Sequence, residues 1–272
     1  RPAGWREIGW LMANGALILG LLLTPLIALV WRSLTIGGEF SWRAYRALVR
    51  DPGRSVFYTH PLIAARNSLA FAAMTVGLSL ILGTLSAYLL ASQESWVRRI
   101  LAWIDPLFIL PLGTSAVTLG FGYIIAFNRP PANWITSPVL VPIVHSLIAF
   151  PFVLRSVLPS LRGIQPSIRE VAATLGATPL RTWWTIDLPL LARPLAVGAV
   201  FAFTISIGEF GATLLLARTE YATIPVVLYR YLSQPGLINL GQALAMSTLL
   251  MGVCTASFIL IERFRASDIG AL

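Results

Sequence analysis

Side chains able to do chemistry are scarce in this 272-residue chain, and the types that are missing decide more than those present. Every one of the 20 basic residues is Arg, with no Lys anywhere. A Walker A loop needs its Lys against the nucleotide phosphates, and Schiff-base chemistry needs a Lys amine. The chain is therefore neither its own P-loop ATPase nor a pyridoxal enzyme. The two histidines, His60 and His145, are far apart in sequence and in different contexts, so no metal site is expected from them. His145 is expected to pack within a helix. Cys254 stands alone in an apolar stretch, which rules out a disulfide framework or a cysteine-based metal site. Gly113-Thr114-Ser115 has no plausible His partner, and no paired aspartates fall inside an apolar run. No catalytic residue is expected.

One carboxylate does fall inside such a run. Gly198, Ala202, Ser206, Glu209 and Thr213 recur at spacings of four, four, three and four, which places them on one face of a helix. Small residues on a face let helices pack closely, and a carboxylate there points toward protein or water rather than lipid. Glu209 follows Pro194 by 15 residues, or roughly 22 Å along a helix at about 1.5 Å per residue. The competing reading is a structural hydrogen bond from Glu209 to a neighbouring helix. Asp105, just before Pro106, is a weaker candidate that equally marks a helix end at the membrane interface.

The longest polar interval between late apolar runs, residues 159–193, has its own local logic. Ser167 and Glu170 have capping-box spacing, predicting a helix start at Ser167. Gly176 suits the position just past a helix end. Thr178-Pro179 restarts a helix, with Thr as cap and Pro at the first helical position. The second helix is expected to end before Leu188-Pro189, because the residue before a proline avoids the α region. Two short helices joined by a tight bend would lie along the membrane surface.

The elements that position these residues are membrane spans. Hydrophobic residues make up 57% of the chain and charged ones 11%, with a mean hydropathy of +0.78; a soluble domain carries roughly a quarter charged residues. Runs of about 20 apolar residues recur. Six helical spans are predicted, at about 10–31, 67–91, 100–127, 139–158, 194–217 and 238–261, in a single transmembrane domain over 1–272. The first is bracketed by Trp10 and Trp31, and the third is interrupted by Pro106 and Pro111. Asp51-Pro52-Gly53 and the Asn128–Pro138 stretch read as turns. Ten arginines fall on the side of the termini and the 92–99 and 159–193 loops, against nine on the other side. That small excess places the termini and the 159–193 loop in the cytoplasm. The net charge of +9 is spread over loops, which suits lipid head groups rather than nucleic acid.

The 159–193 interval resembles a known family. Glu170-Val171-Ala172, then Gly176, then Ile186-Asp187-Leu188-Pro189 keep every spacing of the EAA signature of binding-protein-dependent importer permeases; Val171 stands in place of the first Ala. The resemblance implies an all-α, MetI-like permease of a type I ATP-binding-cassette importer, in a bacterial or archaeal inner membrane. It also implies a coupling role for Glu170, Ala172, Ala173, Gly176, Ile186, Leu188 and Pro189 against a separate nucleotide-binding ATPase subunit. That subunit, not this chain, would hold ATP and Mg. The implied partners are a second permease half or subunit and an extracytoplasmic solute-binding protein. Ser206, Glu209 and Thr213 would then line the translocation path or its outer gate.

Ser206–Thr213 is similar to permeases for iron(III), thiamine, molybdate and sulfate. Thr223–Tyr229 and Gly241–Ala245 are more similar to the iron(III) and thiamine members, so iron(III), thiamine or a similar small solute or oxyanion is the expected cargo. Such permeases are often fused in pairs, and a chain beginning at Arg1 without Met is expected to be a fragment or the second half of one. The alternatives are a secondary transporter, which would need an embedded ion site and repeat symmetry that are not evident, an intramembrane enzyme, or a purely structural subunit that would leave the signature unexplained.

Overall fold

A computed structural model of the chain describes residues 4–49, 59–91, 106, 108, 110–111, 113–128 and 134–267. The Asp51-Pro52-Gly53 turn, the 92–99 connection, Asp105, most of the first half of the third span and residues 129–133 lie outside the described residues. Among the described residues, five helices are long and apolar enough to cross a membrane, and Ala116–Phe127 is a shorter apolar one. Lipid offers no hydrogen-bond partners to a backbone, so such runs must close their bonds internally as helices.

The chain divides into two compact units, Arg1–Pro61 with Val227–Val253, and Leu62–Val226 with Cys254–Leu272. The first unit opens with α1 (Trp5–Ser33), an apolar helix whose surface is almost wholly exposed. A two-residue hairpin, β1 (Thr35–Ile36) with β2 (Glu39–Phe40), turns on Gly37-Gly38 and leads to α2 (Arg43–Val49). Ala44 and Leu48 of α2 are buried, and the Gln242 amide donates to the Ala47 carbonyl at 3.1 Å.

The second unit contains α3 (Pro61–Ala91), α4 (Ala116–Phe127) and α5 (Leu140–Gly163). It continues through α6 (Pro166–Thr174), α7 (Pro179–Thr182), α8 (Leu188–Gly208) and α9 (Gly211–Leu216). Two further helices, α10 (Ile224–Leu232) and α11 (Leu237–Ser267), are each divided between the units, with Val227–Val253 belonging to the first. The most buried span is α5, and its Val153 fixes how closely its neighbours approach. A Cβ on Gly83 of α3 would sit 2.6 Å from Val153 Cβ, and one on Gly198 of α8 would sit 3.2 Å from Val153 Cα. With Ala87, Ala149, Val157, Leu191 and Ala202, these positions form the core joining α3, α5 and α8. In lipid this contact is held by packing and hydrogen bonds rather than by apolar burial. Thr75 and Ser79 add hydroxyl bonds from α3 to the α5 carbonyls of Pro142 and Ser146.

The fifth span departs from its expected bounds at both ends. The fifth span does not begin at Pro194: one helical path runs from Pro179 to Gly208. Nor does it run unbroken to 217, because Glu209 takes extended backbone (φ −70°, ψ 122°) before α9 starts. Arg181, Asp187 and Arg193 make the stretch before Pro194 read as polar, and apolar residues resume directly after Glu209, so a hydropathy reading sees neither the early start nor the break.

Candidate functional site

The polar interval begins where Gln165 is held extended (ψ 131°) ahead of Pro166. A residue before proline avoids the α region, while proline presets the dihedral of a first helical residue. The helix α6 therefore starts at Pro166, not at Ser167, and no side-chain cap closes its start. The Ser167–Glu170 capping box is not formed: Ser167 lies inside the helix and Glu170 is exposed on its surface.

The far end follows the expected logic. Gly176 has φ +82°, its N–H donates to the Ala173 carbonyl at 2.9 Å, and the Ala177 N–H donates to the Ala172 carbonyl at 3.0 Å. This pair of bonds is a Schellman turn, whose left-handed residue is best filled by glycine. Thr178 then caps α7, its Oγ1 accepting from the Arg181 N–H at 3.3 Å with Pro179 at the first helical position.

Leu188-Pro189 does not end the second helix. Residues Trp183–Asp187 form a widened turn in which the Leu188 N–H bonds the Trp183 carbonyl five residues back. Proline in a regular helix clashes with the carbonyl four residues earlier. The wide turn shifts the carbonyl pattern one residue, so Pro189 sits in the first turn of α8 without ending the helix. Such π-bulges are frequent at functional sites. The outcome matters mechanically, since the second short helix is continuous with span five.

Asp187 joins the pieces. Its buried carboxylate accepts from Arg169 Nε of α6 at 3.0 Å and from the Tyr88 hydroxyl of α3 at 2.9 Å. Arg162 Nη2, near the end of α5, also donates to the Leu90 carbonyl at the end of α3 at 3.1 Å. One carboxylate at the root of span five thus holds the surface helix and span two together. Sequence reading missed Arg169, Asp187 and Tyr88. The available signal was an acidic residue at an unspecified position of the signature, flanked by Ile186 and Leu188.

Of the predicted coupling residues, Glu170, Ala173, Gly176 and Pro189 are exposed; Ala172, Ile186 and Leu188 are half-buried. Around them stand large apolar side chains in the open: Leu175 is 82% exposed, with Val171, Leu180 and Trp184 each more than half exposed. Large apolar side chains left exposed on both sides of a rigid turn have the physical character of a protein contact.

Ser206, Glu209 and Thr213 are also brought together, though not as one helical face. Gly198, Ala202 and Ser206 share the buried side of α8, and there the helix stops. The Glu209 carboxylate turns back onto the start of α9, accepting from the Ala212 and Thr213 N–H groups at 3.0 Å each and from Thr213 Oγ1 at 2.8 Å. His145 of α5 lies against this group, Nε2 being 3.3 Å from Glu209 Oε2. Sequence reading placed His145 within a helix without seeing that contact.

A family model described as "binding-protein-dependent transport system inner membrane component" matches residues 79–266. The molybdenum transport system permease protein ModB of Mycobacterium tuberculosis is 29% identical over 218 residues, covering 75% of this chain and 76% of the relative. The sulfate transport system permease protein CysT of Salmonella typhimurium is 30% identical over 222 residues, covering 76% and 75%. The fold matches the crystal structure of a bacterial ABC transporter involved in the import of the acidic polysaccharide alginate, with TM-score 0.69 at 17% identity over 97% of this chain and 94% of that one.

Proposed function

Since the chain belongs to the family of binding-protein-dependent transport system inner membrane components, we propose that its 166–187 helix pair docks on a separate nucleotide-binding subunit and that Asp187 passes that subunit's movement into the spans. The chain is the multi-pass permease subunit of an ATP-binding-cassette importer. The docking role assigns the exposed, small residues Ala173 and Gly176, with half-buried Ala172, to close approach, and Glu170 to the rim of the contact. Ile186, Leu188 and Pro189 root the pair in span five.

The observation that carries this reading is the three-way junction at Asp187. A surface helix tied only through its chain ends would bend when pushed. One that is also anchored through Arg169 to the base of span five and to span two moves with them as a body, which is how small displacements become switching motions. Ser206, Glu209 and Thr213 we assign to the wall of the translocation path, where they set the break in span five that would act as its outer gate.

The working assembly we propose has a second permease half or subunit, fused or separate, two ATPase subunits that hold ATP and Mg, and an extracytoplasmic solute-binding protein. The termini and the 159–193 loop face the cytoplasm. For cargo we propose a small oxyanion, with iron(III) and thiamine as the other candidates; relatives named for molybdenum, sulfate and, putatively, 2-aminoethylphosphonate support the oxyanion. Uptake assays in vesicles test both levels. Import that needs ATP and survives collapse of ion gradients supports the importer, whereas import that follows an ion gradient would make the chain part of a secondary transporter. A panel of labelled molybdate, sulfate, iron(III) and thiamine separates the cargoes.

A further inference from the structure

The break in span five is bridged by one side chain from span four. His145 is 1% exposed, and its two ring nitrogens reach opposite sides of the break. Nδ1 lies 2.9 Å from Ser206 Oγ, in the last turn of α8. Nε2 lies 2.7 Å from Thr213 Oγ1 in α9 and 3.3 Å from Glu209 Oε2.

Hydrogen-bond bookkeeping decides what the ring carries. Ser206 Oγ donates to Thr75 Oγ1 at 3.1 Å, and Thr75 in turn points at the Pro142 carbonyl at 3.5 Å, so Ser206 presents lone pairs to Nδ1. On the other side, Thr213 Oγ1 gives its proton to Glu209, either to Oε2 at 2.8 Å or to the backbone carbonyl at 3.2 Å. A lone pair on Nε2 would then face both the Thr213 lone pairs and a carboxylate oxygen. A neutral imidazole has one N–H and one lone pair, whereas two N–H groups exist only on the cation.

We infer that His145 is the positioning residue of the span-five break: a doubly donating imidazolium that pairs with the Glu209 carboxylate and fixes α8 and α9 at a set angle against α5. The importance of that angle for transport rests on the functional reading above; the ion pair itself stands on the geometry. Charges inside a span need a partner, and here each group supplies the other's. Removing one partner of a buried pair strands the other, while removing both strands nothing.

With two histidines in the chain, a His60→Gln variant leaves a single ring for nitrogen NMR on labelled histidine in lipid bilayers with the ATPase subunits bound. The inference requires protons on both His145 nitrogens at neutral pH, lost in Glu209→Gln; a ring protonated on one nitrogen only overturns it. In uptake assays, His145→Gln and Glu209→Gln should each cut ATP-driven import about tenfold or more, and the double variant should recover to within about threefold of the unmodified chain. Additive losses in the double variant, or singles that import normally, overturn the inference. Absence of ATP-driven import by the unmodified chain would count against the transport reading alone and leave the NMR result standing.

Discussion

Arg169 Nε and Asp187 Oδ1 meet at 3.0 Å across a separation of 18 residues, tying α6 to the root of span five. Asp187 is 5% exposed while the Arg169 side chain is over a third exposed, so the carboxylate is the partner with more to lose. The Tyr88 hydroxyl on its other oxygen makes the same carboxylate the anchor of span two.

Asp187→Asn should therefore act on more than one helix. The change leaves Arg169 without its charged partner and weakens the Tyr88 bond, a loss of about 1–3 kcal/mol for hydrogen bonds to a buried charged group. Tyr88→Phe removes one neutral donor and should cost less, on the order of 1 kcal/mol. Thermal denaturation in detergent ranks the two, and equal or reversed losses would contradict the junction.

Gly176→Ala should cost about 1–2 kcal/mol through left-handed backbone strain alone, since a Cβ there meets nothing within 4 Å. Gly176→Trp adds bulk on an exposed surface and should, beyond that strain, weaken binding of the ATPase subunit. Co-purification at matched expression separates the two effects: the Ala variant should retain the ATPase and the Trp variant should lose it.

Leu175→Ser addresses docking with little effect on folding. Leu175 is 82% exposed, and surface substitutions away from special features usually change stability by no more than about 0.5 kcal/mol. Burying a leucine at a contact contributes about 1.5–3 kcal/mol, so ATPase affinity should fall about tenfold or more while the melting temperature stays put.

Gly83→Ala tests the packing of the spans. The added methyl would meet Val153 Cβ at 2.6 Å, a branched carbon on a buried helix that has no free end to move. Overpacking of this kind costs about 1–3 kcal/mol. A lower denaturation midpoint is the expected result, and an unchanged one would mean that α3 and α5 are farther apart than described.

What could be read from the sequence followed from local backbone chemistry. Gly176 had to take positive φ, Thr178-Pro179 had to start a helix, and the apolar runs had to be helices. Local rules failed where two of them competed. Ser167 and Pro166 both offer a helix start, and the dihedral that proline fixes prevailed over a side-chain cap. Pro189 reads as a stop, yet a turn widened by one residue accommodates it. The Asp187 and Glu209 contacts were hidden for a different reason: Tyr88 and His145 lie 99 and 64 residues away from them along the chain, and no local pattern encodes a meeting between spans.

Chemical cross-linking from the surface helix bears most directly on the central claim. Cys254 is the single cysteine, so Cys254→Ser with Ala173→Cys gives a chain with one thiol, at an exposed position of α6. In membranes containing the ATPase subunits, a short thiol-reactive cross-linker placed there should capture the ATPase subunit. Capture from a control thiol at Gln234, in the loop before span six, with none from position 173, would contradict the assignment of the 166–187 helix pair as the site where this permease meets its motor.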